Sequence, residues 1–523
     1  MNKYLQFAHW AILCVVIFSV IIPTTQASTG WQRTYQGGSM DILTPRSIVQ
    51  TTDGGYAMAV FGYLRQESAE GLSSSYELQI LKTDSNGAEQ WKRSYPTVED
   101  PNNLSPEINT YADQYIIVQA ADQGYVVAGS GGQFWLFKVN AQGTVIWSNV
   151  YALSDETYAN SYLTSMIQTT DGGFALVGAV DNGQTGTDFW IVKTNSLGVP
   201  QWNKTYNSGT YTDQLGGTYP CDDEAQCVIQ TSDGGYAIVG TNSLYRASTS
   251  SIVYASWIVK TDAQGKQVWN HGYDLINEPG YRRIIIQTSD CGYAIAGTQN
   301  NDFCLFKIKS SNQLEWSTIY GDQETDTPCA LVQLEDGGYA LAGTWTPTNM
   351  TAIRNTMGLI RTDSSGTIMW TKVYTARQDS SAWEHGVDRA SAMIRTSDGA
   401  YALVGSTLFG SEYHQDVFFV KTETLEQSPQ ATSLPTPLAS EDNPAYSPDQ
   451  TSQPSSTPTQ SSPTQNPSVS STPNDDSSEN IIQIDSPQGI LIIGIIILVI
   501  SFVVALVIII TKRRQTPKIP PPP

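Results

Sequence analysis

A short phrase that returns along the chain limits its fold more than any other feature. Residues 230–241 read QTSDGGYAIVGT, and variants of this phrase recur at intervals of 46 to 69 residues. Their turn acids are Asp53, Asp122, Asp171, Asp233, Asp290, Asp336 and Asp398. Glycine tolerates the positive φ of a tight turn, and an aspartate can bond the turn's own backbone. Seven copies at this period predict a fold assembled from repeated supersecondary units.

A second phrase follows each copy, as in WIVKTDAQGKQVW over residues 257–269. In six copies a tryptophan stands nine residues after the Lys or Arg of this phrase, and a tyrosine stands four residues further on. These tryptophans are Trp91, Trp147, Trp202, Trp269, Trp316 and Trp370. Together the two phrases predict four strands joined by short turns, in sheets that are covered on both faces.

The last copy lacks its tryptophan strand, because Gln430 occupies the position nine residues after Lys421. Trp31 instead begins an unmatched strand phrase, WQRTY, near the N-terminus. The two elements balance in number only if this strand completes the last copy. The sequence therefore predicts an all-β, seven-bladed β-propeller of four-stranded antiparallel blades over residues 28–426, closed by the N-terminal strand. A β-solenoid or two sandwiches are the alternatives, and neither explains the displaced strand.

The two ends of the chain predict a protein anchored in the cell membrane, with the propeller outside. Residues 1–27 are typical of a secretory signal peptide, and an uncleaved anchor helix is the alternative. Residues 427–488, rich in Ser, Thr and Pro, predict a disordered stalk. Residues 489–510 are apolar and uncharged, and predict a single transmembrane helix before a short basic cytoplasmic tail at 511–523.

Charge, cysteines and sequons narrow the partners and modifications. The net charge of −21 argues against nucleic acid as a partner. Without Cys14 of the signal peptide five cysteines remain, so at least one is free or intermolecular, and Cys221 with Cys227 is the predicted candidate for a disulfide. Sequons predict N-glycosylation of a glycoprotein at Asn103, Asn203 and Asn349.

All variation in connection length falls on one face of the predicted propeller, for example at 63–76 and 242–254. Loops on a rigid scaffold commonly carry binding sites. The candidate ligand residues on this face are Asp155, Glu156, Tyr158, Tyr211, Asp213, Tyr219, Asp222, Asp223, Trp345, Trp383 and Glu384. Such acids could bind Ca²⁺ and such rings could stack on a glycan; otherwise no cofactor is predicted. The alternative is that the acids are solvated and the rings pack between blades.

The repeated turn acids and the tryptophan series, which includes Trp31, are predicted to be structural. The repeat pattern QTSDGGYAIVGT … WIVKTDAQGKQVW resembles that of cell-surface propellers of archaea and some bacteria, which are loosely similar to quinoprotein-like propellers. The resemblance covers residues 29–425. It implies a role at the cell surface and supplies no catalytic residues.

Motifs of common catalytic sites are absent, including Gly-x-Ser-x-Gly and His-Glu-x-x-His. The sequence therefore predicts a non-enzymatic binding or adhesion module whose partner is an extracellular protein or glycan. The alternatives are a propeller-scaffold enzyme, either quinoprotein-like or carbohydrate-active, and a structural protein of the cell envelope.

Overall fold

The computed structural model is all-β in the part of the chain that it describes. That part comprises residues 30–37, 42–68, 71–95, 97–98, 108–109, 114–153, 161–181, 186–212, 216–246, 251–276, 282–321, 324–346, 355–376, 387–409 and 414–424. All of it belongs to the first of two compact units, Met1–Glu441. The predicted signal peptide, stalk, membrane helix and tail lie outside the described residues. Within those residues, no helix has the length and apolar character needed to cross a membrane.

Most strands belong to four-stranded antiparallel sheets that follow one another in chain order. The first strands are β1 (Trp31–Tyr35), β2 (Ile42–Gln50), β3 (Tyr56–Ser68), β4 (Gly71–Thr83), β5 (Glu89–Tyr95), β6 (Thr97–Val98) and β7 (Ile108–Asn109). Next come β8 (Ile116–Gln119), β9 (Tyr125–Ser130), β10 (Phe134–Val139), β11 (Val145–Tyr151), β12 (Ser161–Gln168), β13 (Phe174–Asp181), β14 (Thr187–Thr194), β15 (Pro200–Tyr206), β16 (Thr210–Thr212) and β17 (Thr218–Pro220).

The second half of the fold repeats this order. It contains β18 (Asp223–Gln230), β19 (Tyr236–Arg246), β20 (Ser251–Thr261), β21 (Gln267–Tyr273), β22 (Ile284–Gln287), β23 (Tyr293–Gln299), β24 (Asp302–Ile308) and β25 (Leu314–Tyr320). The last strands are β26 (Thr327–Gln333), β27 (Tyr339–Trp345), β28 (Thr356–Thr362), β29 (Ile368–Tyr374), β30 (Val387–Arg395), β31 (Tyr401–Phe409) and β32 (His414–Lys421).

Five four-stranded sheets among the described strands stand alone, namely β8–β11, β12–β15, β18–β21, β22–β25 and β26–β29, and β6 with β7 and β16 with β17 form two short two-stranded sheets. An eight-stranded sheet contains β2–β5 and β30–β32 together with β1, which pairs antiparallel with β32. Its two halves meet where β2 and β32 pair in parallel at Ile42 and Gln415. The fold is thus β-propeller-like. Two expected loops are partly strand, since β3 and β4 extend into 63–76 and β19 and β20 extend into 242–254.

The Asp-Gly turn and the following Lys explain why the repeated phrase folds as it does. Asp233 accepts hydrogen bonds from the Gly235 amide at 3.0 Å and the Thr231 hydroxyl at 2.5 Å, while Gly234 has a φ of +82°. The Lys260 ammonium reaches back across the hairpin and lies 2.8 Å from Asp233 Oδ2. Its side chain is only 6% exposed. The equivalent aspartate in every copy pairs with a Lys or Arg in the same way.

The fixed interval between the Lys and the Trp places two aromatic side chains on the next sheet. Tyr206 donates a hydrogen bond of 2.7 Å to the carbonyl of Gly265, which lies in the third turn of the following sheet. A Cβ on Gly265 would lie 2.7 Å from the Trp202 ring, so the residue there has to be glycine. Trp202 also packs edge-on against Tyr236 at 5.8 Å. The repeated Trp and Tyr therefore join neighbouring sheets.

Buried clusters lie between successive sheets and hold the core. One cluster combines Phe189 and Trp257 from the sheets β12–β15 and β18–β21, and similar clusters join each pair of successive sheets. A further cluster contains Met58 and Val60 of β3 together with Val404 and Phe419 of β31 and β32. The first strands of the sheets, β2, β8, β12, β18, β22, β26 and β30, also contact one another in this order, and β30 contacts β2.

Candidate functional site

Five of the seven first strands share an irregularity near their starting ends. The pairing register shifts between Pro45 and Ser47, Leu163 and Ser165, Ala225 and Cys227, Pro328 and Ala330, and Ala390 and Ala392. We call the end of the sheets that carries these shifts the loop end; the Asp-Gly turns lie at the opposite end. A bulge re-aims side chains and often adjoins a functional site. The extra residues are all polar or thiol-bearing: Arg46, Thr164, Gln226, Cys329 and Ser391.

At the loop end, three arginines from different sheets line one cavity of about 340 Å³, which we call the arginine cavity. Arg46 lies on β2, Arg282 lies just before β22, and Arg389 lies on β30. The other described residues of the lining are uncharged: Thr44, Gln114, Thr327, Pro328, Cys329, Thr344, Ala390, Ser391, Ser406 and Gln415. The described lining is therefore positively charged in a chain whose net charge is −21.

The tyrosine–glutamate pair, Tyr162 and Glu224, lies at matching positions near the starts of β12 and β18. The Tyr162 side chain is 40% exposed and lies beside the Glu224 carboxylate. Burial, the proximity of the Glu224 carboxylate and the negative charge of Asp222 raise the pKa of Tyr162. The phenol is therefore a protonated group beside carboxylates. A hydrogen bond of 2.7 Å from Thr164 to the carbonyl of Ala225 holds the two strands side by side.

A hairpin of β16 and β17 precedes Glu224 in the chain. Tyr211 and Tyr219 lie opposite each other in it, with ring centroids 5.6 Å apart and ring planes inclined by 29°. Tyr219 is 46% exposed. This hairpin brings together Tyr211 and Tyr219, which are two of the predicted ligand residues. An exposed tyrosine ring offers an apolar face to a ligand and a hydroxyl at its edge.

Other predicted ligand residues are placed differently. Asp223 is fully buried, where it accepts hydrogen bonds from the backbone and hydroxyl of Ser208. Burial raises the pKa of Asp223 to about 6, against the effect of those bonds. Trp345 is 6% exposed and packs near Phe303, so it belongs to the core rather than to a ligand surface. Asp155, Glu156, Tyr158, Asp213, Trp383 and Glu384 lie outside the described residues.

The cysteines and sequons add little to the site. Cys221 and Cys227 are both free thiols, so the predicted disulfide is not formed. Cys221 lies buried before β18, whereas Cys227 on that strand packs beside the clusters at the next sheet boundaries. Asn203 is exposed on β15, and Asn103 and Asn349 lie outside the described residues. Among the described residues, no group of three His, Cys, Asp or Glu side chains could hold a metal ion.

The turn acids form ion pairs at the opposite end of the sheets. Although burial opposes it, hydrogen bonds from Lys260, Thr231 and Gly235 lower the pKa of Asp233 to about 2. Asp53, Asp171, Asp290 and Asp398 have the same lowered value for the same reasons. These carboxylates are saturated by their own turns and lysines. They are structural groups in each copy.

Sequence reasoning missed the arginine cavity and the tyrosine–glutamate pair. Most first strands end at a glutamine, and these residues lie at fixed distances before it. Arg46 stands four residues before Gln50, as Gln226 does before Gln230. Tyr162 stands six residues before Gln168, and Glu224 stands six residues before Gln230. The repeated phrase begins only at that glutamine, and the residues before it differ from copy to copy.

Comparisons with known proteins give structural neighbours only. No family model matches the chain, and no curated protein matches it. The α-L-arabinofuranosidase Arb93A from Fusarium graminearum, in complex with an iminosugar inhibitor, is 10% identical with a TM-score of 0.39 and covers 77% of this chain and 99% of its own. An ulvan lyase of polysaccharide lyase family PL25 is 7% identical with a TM-score of 0.46, over 75% and 96% of the two chains. BBS1N in complex with ARL6DN is 10% identical with a TM-score of 0.38, over 75% and 96%.

These neighbours correct the functional prediction made from the sequence. A glycoside hydrolase and a polysaccharide lyase stand among the similar structures, which contradicts the prediction of a non-enzymatic binding or adhesion module. The absence of familiar catalytic motifs does not exclude an enzyme, because residues from several sheets can form a site that no linear motif reveals.

Proposed function

We propose first that the sheets form a closed seven-bladed propeller in which β1 completes the blade of β30–β32. The core cluster shared by β3, β31 and β32 supports this closure. So does the Ser397 amide, which donates a hydrogen bond of 2.8 Å to the Gln50 side chain 347 residues away. Gln230 and Gln287 make the same bond to the preceding sheet elsewhere in the fold.

We further propose the cellular arrangement that the sequence predicts. A signal peptide at 1–27 directs the chain outside, the stalk at 427–488 carries the propeller, and the helix at 489–510 anchors it in the cell membrane with the tail at 511–523 inside. The repeat pattern supports a place among the surface propellers that it resembles. The partner in this setting is an extracellular glycan rather than nucleic acid, given the net charge of −21.

We propose that the chain is a carbohydrate-active enzyme whose active site lies at the loop end of the propeller. The observation that carries this proposal is the placement of Tyr162 beside Glu224 on adjacent first strands, which the hydrogen bond from Thr164 to Ala225 holds together. Cleavage of a glycosidic bond requires a proton donor for the leaving oxygen and a proton acceptor, which takes a proton from the attacking water in hydrolysis or from a carbon of the sugar ring in elimination. The phenol of Tyr162 and the carboxylate of Glu224 provide these two functions from adjacent first strands.

The surroundings of the pair suit a saccharide. Tyr219 lies five residues before Glu224 in the chain, and its half-exposed ring offers a flat face of the kind that sugars stack on. Asp222 is exposed beside the pair and contributes a further carboxylate. The proton transfers of this chemistry need no cofactor. Binding of Ca²⁺ by acidic loop residues is a separate proposal, which a comparison of the protein with and without a chelator would test.

The test is activity of the full-length protein in detergent on a panel of neutral and acidic polysaccharides. Release of reducing ends reports cleavage, and ultraviolet absorbance of a new carbon–carbon double bond separates elimination from hydrolysis. We expect Tyr162→Phe and Glu224→Gln each to lower kcat by about 10²- to 10⁴-fold while the protein stays folded. Tyr76→Phe is the matched control, because Tyr76 is a tyrosine of similar exposure, 48%, on β4.

Two results would refute the proposal. One is the absence of cleavage on every polysaccharide of the panel at enzyme concentrations that detect slow turnover. The other is cleavage that Tyr162→Phe and Glu224→Gln leave at the parent rate. A visible absorbance band from a bound quinone in the purified protein would favour the quinoprotein-like alternative instead.

A further inference from the structure

The arginine cavity is unusual for this chain because two of its arginines, Arg282 and Arg389, have no carboxylate partner in the described part of the fold. No ion pair joins either of them to a carboxylate within the described ranges of the chain. The described lining of the cavity contains three arginines and no aspartate or glutamate. Elsewhere the fold neutralises its cations, since the Lys or Arg of every repeat pairs with the turn aspartate of its own copy. Two arginines beside one cavity without a counter-charge have an electrostatic cost that a bound anion would remove.

The three arginines belong to separate parts of the fold and line the same cavity. Arg46 is the extra residue at the register shift of β2, and its guanidinium lies 5.6 Å from the centre of the Phe61 ring. Arg389 precedes the equivalent shift of β30. Arg282 lies close enough to Cys329 to act on its thiol, whose pKa burial nevertheless raises to about 12. The thiol is therefore neutral and adds no competing anion.

Uncharged polar groups complete the wall. The Thr44 hydroxyl bonds the Gln415 side chain at 3.2 Å, and the Ala390 amide bonds the Thr344 hydroxyl at 3.0 Å. Gln114, Ser391 and Ser406 also line the cavity. Amides and hydroxyls of this kind are the usual partners of sugar hydroxyls. A volume of about 340 Å³ lies at the lower end of the range for small-molecule sites, which is about 300–1,000 Å³.

We infer that the arginine cavity binds the carboxylate of an acidic sugar residue, so that the substrate is a carboxylated polysaccharide. This inference rests on the proposed function and gives it a substrate class. Arginine favours planar anions because its guanidinium presents two parallel N–H groups to the two oxygens of a carboxylate. The position of Arg389 also agrees with this inference. Arg389 stands six residues before the last residue of β30, and Tyr162 and Glu224 stand six residues before the last residues of β12 and β18.

The experiment measures binding of a carboxylated trisaccharide, trigalacturonate, by calorimetry. The full-length protein carries Tyr162→Phe so that the ligand is not consumed. The methyl ester of the same trisaccharide removes the charge and keeps the sugar, and a sulfated neutral trisaccharide offers a different anion. We expect the acid to bind at least about tenfold more tightly than the ester.

Arg282→Gln and Arg389→Gln should each weaken the acid by about tenfold and leave the affinity for the ester unchanged, which also shows that the variants are folded. Arg395→Gln is the matched control, because Arg395 pairs with Glu335 at the Asp-turn end. Equal affinities for acid and ester, or unchanged binding by both arginine variants, would overturn the inference. Tighter binding of the sulfated ligand would overturn the assignment to carboxylate.

This outcome is separable from that of the proposed function. Acid-specific binding without cleavage of any polysaccharide would support the arginine cavity as a carboxylate-binding site and refute the enzymatic function. Cleavage of a neutral polysaccharide at a rate that the arginine variants do not change would support the enzymatic function and refute the arginine cavity as the substrate site.

Discussion

Replacing Asp233 by alanine should destabilise the protein by about 2–3 kcal/mol, and the structure shows where that free energy resides. The change removes three hydrogen bonds to the carboxylate, from Thr231, from the Gly235 amide and from Lys260. The first two contribute about 1 kcal/mol each. The ion pair is counted at no more than about 1 kcal/mol, because the Asp233 side chain is 62% exposed and its interaction with Lys260 is screened by solvent.

Asp233→Asn separates the charge from the geometry. An asparagine keeps an oxygen for Thr231, Gly235 and Lys260, so this variant should cost only about 1 kcal/mol. Lys260 retains a hydrogen bond of 2.8 Å to the carbonyl of Thr261 in every variant, which limits the penalty of leaving its buried ammonium without the aspartate. The measurement is urea unfolding of the full-length protein, followed by tryptophan fluorescence and compared at a fixed denaturant concentration.

A double-mutant cycle with Lys260→Met tests the assignment of the ion pair. The two changes should be non-additive by about 1 kcal/mol, because each removes the same interaction. Strict additivity would show that Asp233 and Lys260 are not coupled. An alanine variant as stable as the parent would refute the structural role of the turn acids altogether, and ligand binding would then have to be re-examined at the Asp-turn end.

Two further predictions follow from the same contacts. Deleting residues 28–38 should lower the melting temperature by about 10 °C. The deletion removes β1, the packing of the Trp31 ring on the Phe419 ring at 4.8 Å and the hydrogen bond from Tyr35 to the Gly87 carbonyl. An unchanged melting temperature would refute the proposed closure. Stability should also fall on acidification between about pH 4 and pH 2. The pKa of the turn aspartates is about 2 in the folded chain and 3.8 in the unfolded chain, so their stabilising contribution is complete above pH 3.8 and is lost as the pH falls through the folded pKa. Urea unfolding at a series of pH values would measure this loss.

The sequence predicted the repeated part of the fold well because each copy carries its own local chemistry. The Asp-Gly turn, the Lys that bonds it and the Trp and Tyr that dock on the next glycine are all fixed at short range, as Asp233, Lys260 and Gly265 show. The strand lengths at the loop end were not predicted. Long hairpins such as β19 and β20 depend on variable residues that no other copy repeats.

The candidate site escaped prediction for the opposite reason. Tyr162 and Glu224 are 62 residues apart and meet only because two sheets place the starts of their first strands side by side. The arginine cavity draws on residues more than 300 positions apart, Arg46 and Arg389. Loop residues that looked functional in sequence proved misleading where packing decides, as for Trp345, which the core absorbs.

The distribution of charge supports the proposed active site at the loop end of this fold. At the Asp-turn end each buried lysine has an aspartate within about 3 Å of it, so neither group of a pair such as Lys193 and Asp171 is available to a ligand. At the loop end the same acidic chain exposes Arg389 without an acidic partner among the described residues and keeps the Tyr162 phenol beside Glu224. A repeat satisfies its own charges in every copy, whereas Arg282 and Arg389 have no carboxylate partner among the described residues and are therefore open to an anion from outside. The acidic sugar that we propose as the ligand would supply that anion.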